Sequence, residues 1–380
     1  MKKMRAAIIG TGFMGRVHVE NLRRVPSVEI TAVAGSSDRR AREFGNGIGV
    51  NRTTGNYHEL LEDSSVDAVH VVTPNVMHYA ICRAALEAGK HVLCEKPFTM
   101  TLDEARELVK LAAETSLANC VQHNLRYYPL VQQMRSMIES GELGEILIVQ
   151  GTYSQDWLLY ETDWNWRVDS QDGGTLRAMS DIGSHWMDAI QHVTGLRITE
   201  LCADLATFHK TRRKPKESVE TFAGKKLQSN DYENVRIHTD DFGSVLLRLG
   251  DRARGAFTVS QMSAGRKNRF AVEIFGTKAG VAWNQECPDE LWIGRRDGPN
   301  QILLKDPALL EPRAAAFADL PGGHSEGYND THKQVFKRFY ERVADPEAAV
   351  EYPTFEDGLL GMRLLEKVAE SSRKRGWVEV

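Results

Sequence analysis

The segment Gly10-Thr-Gly-Phe-Met-Gly15 constrains the fold of this chain more than any other. It directly follows a short apolar run, Arg5–Ile9, and leads into an amphipathic stretch, Val17–Arg24. A lone GxGxxG is weak evidence, but between a strand and a helix, with a second strand after them, it predicts a dinucleotide cradle. Gly10 permits the tight turn, Gly12 lets the backbone approach a pyrophosphate, and Gly15 lets the helix pack closely on the strand. Phe13 and Met14 complete the loop, which places the phosphates at a helix N-terminus, where N–H groups and the positive dipole end converge.

The rest of the first 120 residues repeats that alternation. Val28–Ala34, Ala68–Val72, His91–Cys94 and Ala118–Val121 read as strands, and Val76–Ala88 and Leu102–Glu114 as helices. Such βαβ units predict a parallel, doubly wound sheet covered on both faces. Gly89 is placed to end its helix, and Thr101-Leu-Asp-Glu104 has the pattern of a capping box. After residue 124 the texture changes. Helices are expected at Pro129–Ser140 and Ser180–Thr194, with strands at Glu145–Thr152, Thr199–Phe208, Val235–Thr239, Gly243–Leu249, Ala253–Gln261, Phe270–Gly276, Val281–Gln285 and Leu291–Gly294. Successive strands joined by short turns predict an α+β domain with a large, mostly antiparallel open sheet. Asp306–Gly323 reads as a long loop, and helices near Ser325–Val343 and Phe355–Arg375 close the chain. The expected division is residues 1–124 and 125–380. His209–Lys226, with seven Lys or Arg residues, reads as a solvated excursion between strands rather than an anion-binding or assembly arm.

Charge narrows the partners. With 48 Lys+Arg against 52 Asp+Glu, the formal net charge of −4 argues against duplex DNA or an anionic membrane surface. No apolar run approaches the roughly 20 residues that cross a bilayer. The start, MKKMRAAIIG, superficially resembles a signal peptide, but its apolar stretch is only Ala6–Ile9, too short for one. Five scattered cysteines without CxxC spacing read as buried small hydrophobes in a reducing compartment. A cytoplasmic protein is expected.

The second strand ends Ala32-Val-Ala-Gly-Ser-Ser-Asp-Arg-Arg40. An acid about 20 residues past the fingerprint normally bonds the ribose hydroxyls of NAD; here Gly35 stands in that place. Ser36, Ser37 and Arg39 are candidates to hold a 2′-phosphate instead, while Asp38 could still serve NAD. The cofactor is therefore expected to be NAD(P), with a slight lean to NADP. Ser-Ser-Asp is also a plain helix N-cap, compatible with either.

Further along stand Thr73-Pro-Asn-Val-Met-His78, Cys94-Glu-Lys-Pro97, the pair Gly173-Gly174, and Asp181-Ile-Gly-Ser-His185. Together these resemble the glucose–fructose oxidoreductase, inositol dehydrogenase and rhizopine-catabolism family (Gfo/Idh/MocA), over nearly the whole chain. The resemblance implies a Rossmann domain, then a domain whose open sheet often forms the oligomer interface, hence a homodimer or homotetramer. It also implies oxidation or reduction of one carbinol of a sugar, cyclitol or related polyol. Thr73, Pro74, Asn75, His78, Glu95 and Pro97 would then border the dinucleotide. Lys96 matches the lysine of the family's E-K-P motif, and Asp181 and His185 match its D-x-x-x-H pair. Two departures stand out: Thr175–Ser180 is longer than the usual pattern, and the ribose-site acid is missing.

The chemistry has its own rationale. Hydride leaves a carbinol carbon only as its hydroxyl proton is taken up, so a base or relay must meet that oxygen. Lys96 follows a parallel strand at the end where open α/β sheets bind ligands, and a lysine there can stabilise a developing alkoxide. Asp181 and His185 stand one helical turn apart, suiting a carboxylate that orients an acid–base imidazole. Asp188 and His192 extend the stripe; a metal is the alternative, but no third element completes a closed site, and none is expected. Trp164, Trp166 and Arg167 lie in an aromatic segment that either stacks on a sugar or packs on its own domain. Asn124, Arg126 and Tyr127, at the expected junction, and the loop residue His324 complete the substrate candidates. The leading function is an NAD(P)-dependent oxidoreductase acting on CH–OH groups. A redox-assisted glycosidase on the same scaffold and a non-catalytic dinucleotide-binding regulator are the alternatives.

Overall fold

The computed structural model describes residues 3–216 and 231–380. Six parallel strands form one sheet: β1 (Met4–Ile9), β2 (Val28–Ala34), β3 (Thr53–Thr54), β4 (Ala68–Val71), β5 (His91–Cys94) and β6 (Asn119–Val121), in the order β3-β2-β1-β4-β5-β6. Ile9 pairs with Ala34 on one side and Val71 on the other, so the carboxyl ends of three strands lie side by side. All four residues of β4 are buried, as in a sheet covered on both faces, with His70 the one polar member of an otherwise apolar strand. Helices Phe13–Leu22, Asp38–Ile48, His78–Glu87 and Leu102–Ala113 supply the cover. The capping box is present: Glu104 N donates to Thr101 Oγ1 at 3.2 Å and Thr101 N to Glu104 Oε2 at 3.0 Å. Gly89 adopts φ +73°, the left-handed turn that ends its helix. Two-residue β3 was not expected, being too short for a periodicity signal.

The described chain divides into two compact units. One runs to Tyr127 and resumes over Tyr328–Met362; the other covers Tyr128–Gly327 and Arg363–Val380. Helix Tyr328–Ala344 thus belongs to the unit of the parallel sheet, packing on helix Phe13–Leu22 and β1.

The second unit is built on nine strands: β7 (Ile146–Ser154), β8 (Ile198–Ala206), β11 (Phe242–Leu249), β12 (Ala253–Ser260), β13 (Arg269–Gly276), β14 (Gly280–Asn284), β15 (Glu290–Gly294), β16 (Gln301–Leu304) and β17 (Val378–Glu379). Their order is β16-β15-β14-β13-β7-β12-β11-β8-β17. Only β7 and β12 pair in parallel, so the sheet is mostly antiparallel as expected. Helix Ser184–Thr194 lies on one face, where Trp186 stacks on Phe257 with ring centroids 4.3 Å apart. A Cβ at Gly151 would collide with the Ala271 carbonyl oxygen and sit 2.8 Å from the Trp186 indole nitrogen, which explains a glycine in the middle of β7.

Three expectations need correction. The predicted helix at Ser180 begins as a π turn, Met179–Gly183, before the regular helix. The basic stretch is not simply solvated: β9 (Thr211–Pro215) and β10 (Tyr232–Arg236) form a two-stranded ribbon, and Arg212 within it is fully buried. Lys225 and Lys226 lie outside the described residues. Cys287 is exposed rather than buried. Among the described residues, no helix is long and apolar enough to cross a membrane.

Candidate active site

The glycine loop leaves β1 with Gly10 at φ +124°, and a side chain there would collide with the Val72 carbonyl. Gly15 is closed off by the Gly10 carbonyl. Gly12 differs: its Cβ direction holds nothing within 4 Å. Packing therefore demands two of the glycines, while Gly12 faces open space. No side chain caps the helix that starts at Phe13, and Phe13 itself is exposed. Across the neighbouring loop after β4, Thr73 Oγ1 is buried without a hydrogen-bond partner among the described residues. An open glycine, an uncapped helix start and an orphaned hydroxyl fit a bound dinucleotide phosphate. Met14 is half-buried, Pro74 exposed and Asn75 buried in the same pair of loops.

Position 35 could not carry the missing acid. A Cβ on Gly35 would sit 2.9 Å from Ala41 N and 3.2 Å from Thr11 Cγ2. Ser37 caps helix Asp38–Ile48, accepting from Arg40 N, and Asp38 Oδ1 accepts from Gly55 N at 2.6 Å. Ser36 and Arg39 are exposed, Arg39 pairing with Glu43.

Lys96 follows β5 and is half-buried, joined to Pro97 by a cis peptide bond. Its backbone N donates to Glu95 Oε2 at 3.3 Å. His78 ties this loop to the preceding one: Nδ1 lies 2.9 Å from the Pro97 carbonyl and Nε2 3.0 Å from that of Thr73. Burial lowers the pKa of His78, and the two carbonyls oppose that shift. The residues that the family resemblance implies beside the cradle occupy the loops after β4 and β5, two neighbouring strands of one sheet.

In the second unit Asp181 sits in the π turn, where one carboxylate oxygen accepts from Arg167 Nε at 3.1 Å and the other from Gln261 Nε2 at 2.9 Å. Such π turns recur at functional positions. His185, one turn on, is 7% exposed, its ring 6.4 Å from that of Tyr153. His192, in the same helix, is engaged away from the pair: Arg135 Nη1 lies 3.0 Å from its Nδ1 and Gln132 Nε2 3.1 Å from its Nε2. A buried charge network holds the turn. Asp240 accepts from the backbone N of Arg177 at 2.7 Å and of Met179 at 2.8 Å. Asp241 takes both Arg177 and Arg212 side chains, all three fully or almost fully buried. Burial lowers Arg177 to about 10 and Arg212 to about 9.

The substrate candidates scatter. Trp164 packs with Trp157 on a small core of Leu158, Val168 and Ile237, while the Arg167 guanidinium lies 4.3 Å over the Trp166 ring. Asn124, Arg126 and Tyr127 are buried and engaged: Asn124 donates to Thr331 Oγ1 at 2.7 Å, Arg126 pairs with Asp357 at 2.8 Å, and Tyr127 donates to the Glu351 carbonyl at 2.8 Å. His324 is exposed on its loop.

The sequence matches the GFO/IDH/MocA oxidoreductase family, NAD-binding Rossmann fold, over residues 4–123, and the GFO/IDH/MocA C-terminal domain over residues 131–282. The chain belongs to the GFO/IDH/MocA family. Levoglucosan dehydrogenase of Pseudarthrobacter phenanthrenivorans is 27% identical, over 100% of this chain and 99% of its own. The crystal structure of an oxidoreductase domain protein from Kribbella flavida, 30% identical with both chains covered in full, matches with a TM-score of 0.89. An inositol dehydrogenase homologue from Azotobacter vinelandii, complexed with NADH and myo-inositol, is 28% identical, with 100% and 98% covered and a TM-score of 0.85. This GFO/IDH/MocA chain is thus an oxidoreductase with an NAD-binding Rossmann domain. Sequence reading missed Gln261, because a glutamine just past a strand carries no periodicity signal. It also missed His18, although a histidine among buried Val17, Val19 and Leu22 marks a polar group on a helix's apolar face.

Proposed function

We propose that this protein moves a hydride equivalent between NAD(P) and one carbinol carbon of a sugar, cyclitol or related polyol. The observation that carries the reading is Lys96 at the carboxyl end of β5, on the same sheet edge as the open Gly12 cradle. The dinucleotide, when bound, supplies the redox chemistry. The chain supplies the rest: residues 10–15 seat the phosphates, and Lys96 meets the reacting oxygen and handles its proton. Asp181 and His185 form a proton-handling pair, with Arg167 and Gln261 steadying the carboxylate. Trp166 offers a face for sugar C–H groups. Relatives named for levoglucosan and solved with myo-inositol support the substrate class. A panel of sugars and inositols, followed by absorbance of the reduced nicotinamide, tests it. Turnover with at least one polyol, dependent on the dinucleotide, is expected; no binding of either cofactor overturns it.

Cofactor choice follows from position 35. With no acid possible at Gly35 and Asp38 held at Oδ1 by Gly55 N, Ser36, Ser37 and Arg39 are the groups that can receive a 2′-phosphate. NADPH is therefore expected to bind at least as tightly as NADH in a fluorescence titration. Clearly tighter NADH binding, in line with the NADH-bound relative, would refute this preference.

Assembly and location complete the reading. Ile148 and Leu246 are about half exposed on the nine-stranded sheet, and an antiparallel sheet needs its second face either covered or solvated. A homodimer or homotetramer through this sheet is expected by sedimentation at micromolar concentration, and a monomer would contradict it. Free cysteines fit a reducing cytoplasm.

A further inference from the structure

Behind Glu95, the residue before Lys96, a line of buried polar side chains runs through the first unit. Glu95 Oε1 lies 3.0 Å from His18 Nε2, His18 Nδ1 lies 2.9 Å from His70 Nδ1, and His70 Nε2 lies 2.9 Å from the Tyr340 hydroxyl. Glu95 is 7% exposed and the other three 1% or less. They come from four separate elements: the first helix, β4, the loop after β5 and helix Tyr328–Ala344. Phe336 walls the line, its ring 4.9 Å from that of His18 and 5.0 Å from that of His70.

Counting protons gives this line one direction. Burial lowers His18 to about 3 and His70 well below its usual value, so each ring carries a single N–H. An ionised Glu95 can only accept, so His18 holds its proton on Nε2 and presents a bare Nδ1. His70 must then donate from Nδ1, which leaves its own Nε2 bare, and the Tyr340 hydroxyl donates there. Burial pushes Tyr340 up, so the hydroxyl keeps its proton. Every donor therefore points toward Glu95. Reversing the line would face the His18 Nε2 lone pair with a carboxylate, or oblige Glu95 to take up a proton.

We infer that His18, His70 and Tyr340 are positioning residues that hold Glu95 as an oriented carboxylate beside Lys96 and thereby fix the placement of Lys96. The link is the bond from Lys96 N to Glu95 Oε2, and the inference rests on the role of Lys96 proposed above. A rival use exists for the same atoms. His332 brings a third donor within 4.8 Å of those of His18 and Glu95, and its Nδ1 lies 2.7 Å from Gln122 Nε2. A divalent cation held by the three would require His18 Nε2 to be bare, the opposite tautomer.

Two measurements test the line. In the full-length protein labelled with 15N-histidine, nitrogen shifts at pH 7 are expected to show His18 as the neutral Nε2–H tautomer and His70 as the neutral Nδ1–H tautomer. An imidazolium at either, the opposite tautomers, or a metal-type shift of His18 Nε2 on adding Zn²⁺ overturns the inference. Tyr340→Phe removes one hydroxyl and keeps the ring. With substrate and cofactor saturating, kcat is expected to fall about 10-fold, the scale of a small misplacement of a reacting group. KM and dinucleotide affinity should stay near the parent values, and kcat is taken per active site titrated with the dinucleotide, so that unfolded protein, which would lower apparent turnover at constant KM, is not counted. An unchanged kcat overturns the inference; if Tyr340→Phe fails to fold, the nitrogen shifts decide alone. Lys96→Met with retained turnover would strike the role of Lys96 while leaving the tautomers as they are, so the two failures are distinguishable.

Discussion

Lys96→Met is expected to lower turnover by at least about 100-fold, the usual scale for losing a positioned acid–base group. Methionine keeps the bulk of the stem and removes the charge and all three donors, so fold and dinucleotide binding should survive. Lys96→Arg should not rescue: a planar guanidinium does not fit a site made for a compact ammonium, and it does not release its proton near neutral pH. If Lys96 merely packs against the cofactor, Lys96→Met will weaken nucleotide binding and leave saturated turnover nearly intact. Both quantities can be measured on one purified variant, and the second outcome would remove the catalytic assignment.

Asp181→Ala and His185→Ala are each expected to cost roughly 10²–10⁴ in turnover. The double variant should cost little more than the worse single one, because groups acting as a unit are non-additive. Dinucleotide affinity should hardly change, since both residues belong to the unit without the glycine cradle. Asp181→Asn is the finer probe. It keeps the shape between Arg167 and Gln261 but removes the charge that pairs with Arg167. Should a chelator abolish activity and a divalent ion restore it, the pair is a metal site and the acid–base assignment fails.

Much of the fold was legible because its signals are local. The glycine fingerprint, the capping box at Thr101 and Glu104, and the apolar runs of β1, β2, β4 and β5 each declare themselves within a few residues. Elements too short for periodicity, such as Thr53–Thr54 and Val378–Glu379, did not. Arg212 shows the other limit. A cationic stretch reads as solvated, and only Asp241, 29 residues later, explains why one member lies inside. In the candidate site, motif residues were identified through the glycine loop, Glu95-Lys96-Pro97 and the Asp181–His185 spacing. Their partners were not. Gln261 meets Asp181 across 80 residues, and Tyr340 meets His70 across 270. Contacts of that separation leave no trace in spacing, since the chain between them sets no period.

The return of residues 328–362 to the parallel-sheet unit matters for how the chain is made. At about 5–20 residues per second, the 200 residues of Tyr128–Gly327 take roughly 10–40 s to synthesise. Through that interval the nascent dinucleotide domain waits with the faces of His18 and His70 lacking Phe336 and Tyr340. Residues 328–362 thus complete a domain begun with residues 1–127, and a ribosome that stalls before Tyr328 leaves a nucleotide fold with an open flank for chaperones to cover.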